Sequence, residues 1–142
     1  MVKHNRAEGF SGQRIVVLPR GVVAAALKHG LLRQLLPTDI GFYPKASGHF
    51  IKRPVGVDQS ILIYCIKGHG WCDIEDNRHE IRPGELLVIR PGTPHAYGAD
   101  NNRPWTIYWT HLKGDNNLAL LAELETAKAK PDVWLGEEPE IG

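Results

Sequence analysis

The sequence has few cysteines, one methionine and no long apolar run. No stretch approaches the ~18 consecutive apolar residues of a membrane-spanning helix; Val22 to Leu27 is a typical short run. Residues 1–14 are polar and carry no apolar signal core, so a cytoplasmic location is the expectation, with no membrane partner. Charge of one sign is also lacking. Seventeen Lys and Arg against sixteen Asp and Glu leave a net charge of +1, which removes the electrostatic case for a nucleic-acid binder built on a concentrated basic face. Two cysteines, Cys65 and Cys72, cannot by themselves make a four-ligand structural zinc site. They flank Gly68-His69-Gly70. If a hairpin turned at Gly68-His69 they would face each other across it, and a cross-strand disulfide would be sterically allowed. A reducing compartment favours two small buried thiols instead. What remains is ordinary: 42% hydrophobic and 23% charged over 142 residues, one globular domain and not a disordered chain.

The chain changes character twice. Residues 1–20 mix Gly, Ser, Asn and Lys and are expected to form a flexible N-terminal arm. From Gly21 to Leu36, apolar residues near helical spacing, broken at Gly30 and stopped by Pro37, predict two short helical pieces. From Thr38 to Leu112, short β-branched and aromatic runs alternate with Arg53-Pro-Val-Gly, Asp76-Asn-Arg, Arg82-Pro-Gly, Arg90-Pro-Gly and Ala99-Asp-Asn-Asn. Such punctuation every ~8–12 residues predicts a β-sandwich or barrel. The unit of leading helices and barrel spans 21–114. Residues 115–142 are expected to hold a C-terminal helix, over 116–130, and a loose tail that begins a linker.

The segment Arg82 to His95 holds two Pro-Gly turns around a strand, with His95 opening the next strand. It resembles the second motif of cupins, small jelly-roll barrels. The first cupin motif, a His-x-His pair with a Glu, has no counterpart in Ile61 to Ile66. No metal and no cofactor are therefore expected. The alternative is a metal-dependent cupin enzyme, an isomerase or dioxygenase, with His49, His95 and His111 meeting on one ion.

With that motif placed, a wider resemblance covers roughly residues 38–114. Gly48 to Gly56, Ile61 to Gly70, the Pro-Gly segment, Pro94 to Gly98 and Trp105 to Trp109 resemble the effector-binding N-terminal domain of AraC-type transcription regulators, closest to the arabinose-sensing branch. The resemblance implies a mainly β, cupin-like jelly roll that binds a small effector, a sugar by family precedent, with no catalysis. It further implies a homodimer, and DNA contacts only through a helix-turn-helix domain that this chain lacks, as in an excised sensor ending at Gly142. By position, Arg53 matches an arginine that holds sugar oxygens, Tyr97 a pocket tyrosine and Trp109 the tryptophan on which the sugar ring stacks. The sequence departs at Ile107, where the arabinose sensor carries a histidine, so one polar contact to the sugar is missing.

The chemistry of the residues fits a sugar. An indole presents a negative face to the C–H groups of a pyranose, and a guanidinium offers five donors to its hydroxyl rim. Alternation along 105–112 puts Trp105, Ile107, Trp109 and His111 on one face. The expected ligand-binding set is Arg53, Tyr97, Trp109, His95 and His111. Tyr43, His49, Tyr64 and Trp71 are further candidates for the pocket wall.

Overall fold

Two turns set the frame of the molecule. In Arg82-Pro83-Gly84-Glu85 the Glu85 N–H donates to the Arg82 carbonyl, with Gly84 at φ +90°, and Arg90-Pro91-Gly92-Thr93 repeats the arrangement with Gly92 at φ +76°. Proline at the second position and a glycine with positive φ at the third define type II turns. Each reverses the chain at one end of Glu85–Ile89. A third reversal, at Glu75 and Asp76, takes positive φ at both central residues and closes a tight hairpin.

A computed structural model describes residues 5–116, residues 119 and 122, and the backbone of 133–135. The strands are β1 (Arg14–Val17), β2 (Leu36–Tyr43), β3 (Phe50–Arg53), β4 (Ser60–Lys67), β5 (Gly70–Ile74), β6 (Asn77–Ile81), β7 (Glu85–Ile89), β8 (His95–Ala99), β9 (Thr106–Lys113) and β10 (Val133–Leu135). One helix, α1 (Arg20–Ala26), and a single 3-10 turn at Leu32–Gln34 precede β2. These are the two short helical pieces of the leading segment. Neither buries a residue, and Leu31 and Leu32 stay exposed. Leu36 begins a strand instead of ending a helix. The C-terminal helix expected over 116–130 lies outside the described residues except at 116, 119 and 122. No helix among the described residues is long and apolar enough to cross a membrane.

The strands form two antiparallel sheets, β1-β2-β9-β4-β7-β10 and β3-β8-β5-β6. This is a jelly roll, expected as a cupin-like barrel and found as two facing sheets that do not close on each other. Ile61, Ile63, Cys65, Leu87, Ile89 and Ile107 of the larger sheet pack against Cys72, Ile74, Ile81, Tyr97 and Ala99 of the smaller one. Trp105 is fully buried among them. It fits because Gly70 has no Cβ; a methyl there would fall inside the indole.

The hairpin expected at Gly68-His69 does not form. β4 pairs with β7 and β9, while β5 pairs with β6 and β8. The chain crosses from one sheet to the other at this point, so 65 and 72 are not cross-strand partners. Both side chains face the core between the sheets, and no disulfide joins them. Burial, with Glu85 adding to it, pushes the Cys65 thiol up to about 12. The thiolate is the reactive form. Cys65 is therefore expected to react with an aromatic disulfide reagent only when the chain unfolds, which a stopped-flow thiol assay across a urea gradient checks.

Candidate functional site

The two sheets part at one end around a cavity of about 190 Å³. Its walls come from β2 (Asp39, Tyr43), β3 (Ile51, Arg53), β4 (Ile63), β8 (Tyr97) and β9 (Ile107, Trp109, His111), with His49 and, from the N-terminal arm, Ala7 and Glu8. Strand alternation explains the set. Residues 107, 109 and 111 share the inner face of β9, while Tyr108 on the other face is exposed. On β3 and β8, residues 51 and 53 and residues 95 and 97 do the same. The register pairs Arg53 with His95 and Ile51 with Tyr97.

Arg53 is the organising residue. Its NH1 donates to Nε2 of His95 at 3.0 Å and to the Tyr97 hydroxyl at 3.2 Å. His95 accepts on Nε2 because its Nδ1–H donates to the Thr93 carbonyl at 2.8 Å, an assignment made from the hydrogen-bond network. Burial lowers the His95 pKa, and Arg53 lowers it further, against the pull of the Thr93 carbonyl. The ring is thus neutral at pH 7, as its acceptor role requires. His95 and Tyr97 stack with centroids 5.7 Å apart. Burial also raises the Tyr97 hydroxyl, so it remains protonated.

The opposite wall carries an acid. Asp39 sits where β2 is irregular, with a register shift between Pro37 and Asp39. Proline has no N–H for the ladder, and such an irregularity re-aims the next side chain. The His111 Nδ1–H donates to Asp39 Oδ2 at 3.0 Å, and Thr38 Oγ1 donates to Oδ1 at 2.8 Å. Gln59 Nε2 in turn donates to Thr38 Oγ1 at 2.6 Å. Burial lowers the His111 pKa and outweighs the pull of Asp39, with Arg53 lowering it too. His111 is therefore a neutral ring with an acceptor at Nε2.

Trp109 forms the floor. Its indole lies over Gly41, its cross-strand partner, in space that any larger residue would take. It meets Tyr43 edge-on at 5.6 Å and His111 at 5.1 Å. Its Nε1 is buried near the Tyr43 hydroxyl, yet no acceptor among the described residues has hydrogen-bond geometry to it. Desolvation, then Glu8, lifts the Tyr43 hydroxyl to about 12. Replacing Gly41 by alanine is expected to tilt the indole off its seat and weaken ligand binding about tenfold. Overpacking of this kind costs ~1–3 kcal/mol. Titration calorimetry beside a thermal melt separates the two effects.

His49 closes the inner end. Its Nδ1 accepts from Trp105 Nε1 at 3.0 Å, so its proton sits on Nε2. Burial, reinforced by Arg53, holds its pKa down to about 4. Across it lies the N-terminal arm. The Arg6 N–H donates to the Gly48 carbonyl, and the Phe50 N–H donates to the Arg6 carbonyl. Phe10 is buried against Tyr43 and His49.

Four of the five residues expected in a ligand site, Arg53, Tyr97, Trp109 and His111, thus line one cavity. The fifth, His95, does not line it; it stands beside Arg53 and holds NH1. Of the further wall candidates, Tyr43 and His49 line the cavity. Tyr64 is instead exposed on the larger sheet, and Trp71 lines a groove outside the smaller sheet with Arg78 over its ring. Sequence reasoning missed Asp39, Glu8 and Ala7. Of the three histidines proposed for a metal, His95 has both ring nitrogens engaged, by Arg53 and Thr93, while His49 and His111 each engage Nδ1 alone, with Trp105 and Asp39. Among the described residues, no group of three His, Cys, Asp or Glu side chains is placed to hold a metal ion.

A jelly roll with a half-open polar cavity between its sheets, floored by an indole and edged by a guanidinium, is a ligand-binding module in form. Residues 40–140 match the family model of the AraC-like ligand binding domain, and the chain belongs to that family. It is 37% identical over 103 residues to the MmsAB operon regulatory protein of Pseudomonas aeruginosa, a match covering 70% of this chain and 33% of that protein. It is 34% identical over 65 residues to the arabinose operon regulatory protein of Escherichia coli, covering 45% of this chain and 22% of that one. The matches span about a third or less of these curated relatives. Among solved structures, Escherichia coli YhaK shares the fold with a TM-score of 0.53 at 15% identity, over 74% of this chain and 46% of that one.

Proposed function

We propose that the chain is the effector-sensing domain of an AraC-type transcription regulator, and that the effector is a small carbohydrate or a similar polar metabolite. It binds in the cavity against Arg53, Tyr97, Trp109 and His111, with Asp39 fixed behind His111. The observation that carries this reading is the pairing of a locked guanidinium with an indole floor in one cavity. About 190 Å³ is small beside the roughly 300–1,000 Å³ of pockets for drug-sized ligands, so the guest is of single-ring size. Two neutral imidazoles, two hydroxyls and a guanidinium supply fixed donors and acceptors around the indole, the complement a polar guest needs, which supports the sensing reading. The domain works in the cytoplasm as a homodimer. It acts on DNA only through a helix-turn-helix domain carried elsewhere in the regulator. A preference of the effector for one state of the sensor, typically ~1–3 kcal/mol, is what transmits the signal.

Isothermal titration with pentoses, hexoses, their acids and disaccharides tests this. Heat from a single-ring compound and none from the disaccharides is the expected pattern. Silence across the panel, or preference for an apolar compound, contradicts it.

A further inference from the structure

Arg53 is half-buried at the cavity wall, and no carboxylate lies within ion-pair distance of it among the described residues. A charge taken partly out of water without a counter-charge is unfavourable. The nearby acids do not serve. Asp39 is engaged by His111 and Thr38, and Glu8 lies on the exposed arm. Nor do the imidazoles share the charge, since Arg53 depresses His49, His95 and His111 alike, and the Tyr97 ring, 5.7 Å from the guanidinium carbon, brings no counter-charge.

The hydrogen bonds of Arg53 are one-sided. Both protons of NH1 are committed, one to His95 and one to Tyr97. Nε–H and the two protons of NH2 have no acceptor among the described residues. One edge of the planar group thus fixes its position, and the other edge is an open two-pronged fork. Such a fork matches a carboxylate with two parallel charge-assisted hydrogen bonds.

We infer that the effector carries a carboxylate, received by the Nε/NH2 edge of Arg53, and hydroxyl groups that meet Tyr97 and His111 above Trp109. The class is a small hydroxylated carboxylic acid, a sugar acid at the upper end of the cavity's size. This rests on the sensing reading above and narrows its ligand. Glu8, the like charge on the arm, opposes such a guest and sets how tightly it is held.

The test is calorimetric titration of the whole chain with matched pairs: glucuronate with glucose, galacturonate with galactose, glycerate with glycerol. At least one acid is expected to bind ten times or more tighter than its neutral partner. Arg53→Gln should abolish that preference while the thermal melt shows a folded protein. Arg53→Lys, which keeps the charge and loses the fork, should lose most of it. Glu8→Gln should raise the acid's affinity severalfold. Neutral members binding as tightly as their acids, or an acid preference that survives Arg53→Gln, overturns the carboxylate and leaves the sensing reading standing. Binding by no member overturns both.

Discussion

Replacing Arg53 by methionine is expected to lower effector affinity about a hundredfold or more while the chain remains folded. The size follows from what is lost. Hydrogen bonds to charged groups contribute roughly 1.5–3 kcal/mol each, and the open edge of this guanidinium offers two to one guest. Methionine retains much of the aliphatic stem, so the wall of the cavity stays filled. The substitution also leaves His95 Nε2 and the Tyr97 hydroxyl without their donor. Some stability is therefore lost as well, and affinity must be compared at a temperature where both proteins are folded. His95→Phe should show a related, smaller defect. His95 does not line the cavity, so its removal affects the guest only by freeing Arg53.

The second large effect concerns acid. His49 titrates at about 4 in the folded protein and near 6.5 when unfolded. Between these values the unfolded chain binds more protons, so stability rises with pH across the window. Read downward, stability is full above about pH 6.5 and is lost as pH falls toward 4, by roughly 3 kcal/mol from His49 alone. The cause is local. Nδ1 accepts the Trp105 indole proton, and protonating that nitrogen sets two donors against each other beside Arg53. His95 and His111, both lowered, act in the same direction. Urea unfolding followed by circular dichroism at half-unit pH steps should show the slope. His49→Gln should be less stable at pH 7 and flatter from 6.5 to 4; a profile as steep as the parent's assigns the effect elsewhere.

Much of this site could be read from spacing, because strands obey a period of two. Given Trp109, alternation along β9 brings Ile107 and His111 to the same face. The Pro-Gly pairs at 83–84 and 91–92 place β7 and the start of β8 almost without reference to the rest. What sequence could not show is where the chain changes sheet. Gly68-His69-Gly70 has the composition of a hairpin turn, and local chemistry is the same whether the next strand pairs back or crosses over. Only the partners of β5, which are β6 just after it and β8 farther along the chain, decide it. The same limit hid Asp39. A carboxylate two residues after Pro37 reads as a helix stop followed by a polar turn, and its place in the cavity depends on an irregular strand pairing with β9. Glu8 and Ala7 were illegible for a different reason. Their segment has little periodicity, and it is fixed by backbone bonds of Arg6 to Gly48 and Phe50 and by the single buried ring of Phe10. His95 shows the converse. Its place in the Pro-Gly segment led to the expectation of a ligand residue, whereas its Nε2 faces Arg53.

The central question is whether the effector sits in the space between the sheets. A crystal structure of the chain with any compound that gives heat in the titrations answers this most directly. The prediction is one small molecule lying on the Trp109 indole, with two of its oxygen atoms against Nε and NH2 of Arg53. A compound bound outside the smaller sheet near Trp71, with the inner space filled by hydrocarbon side chains, would contradict it.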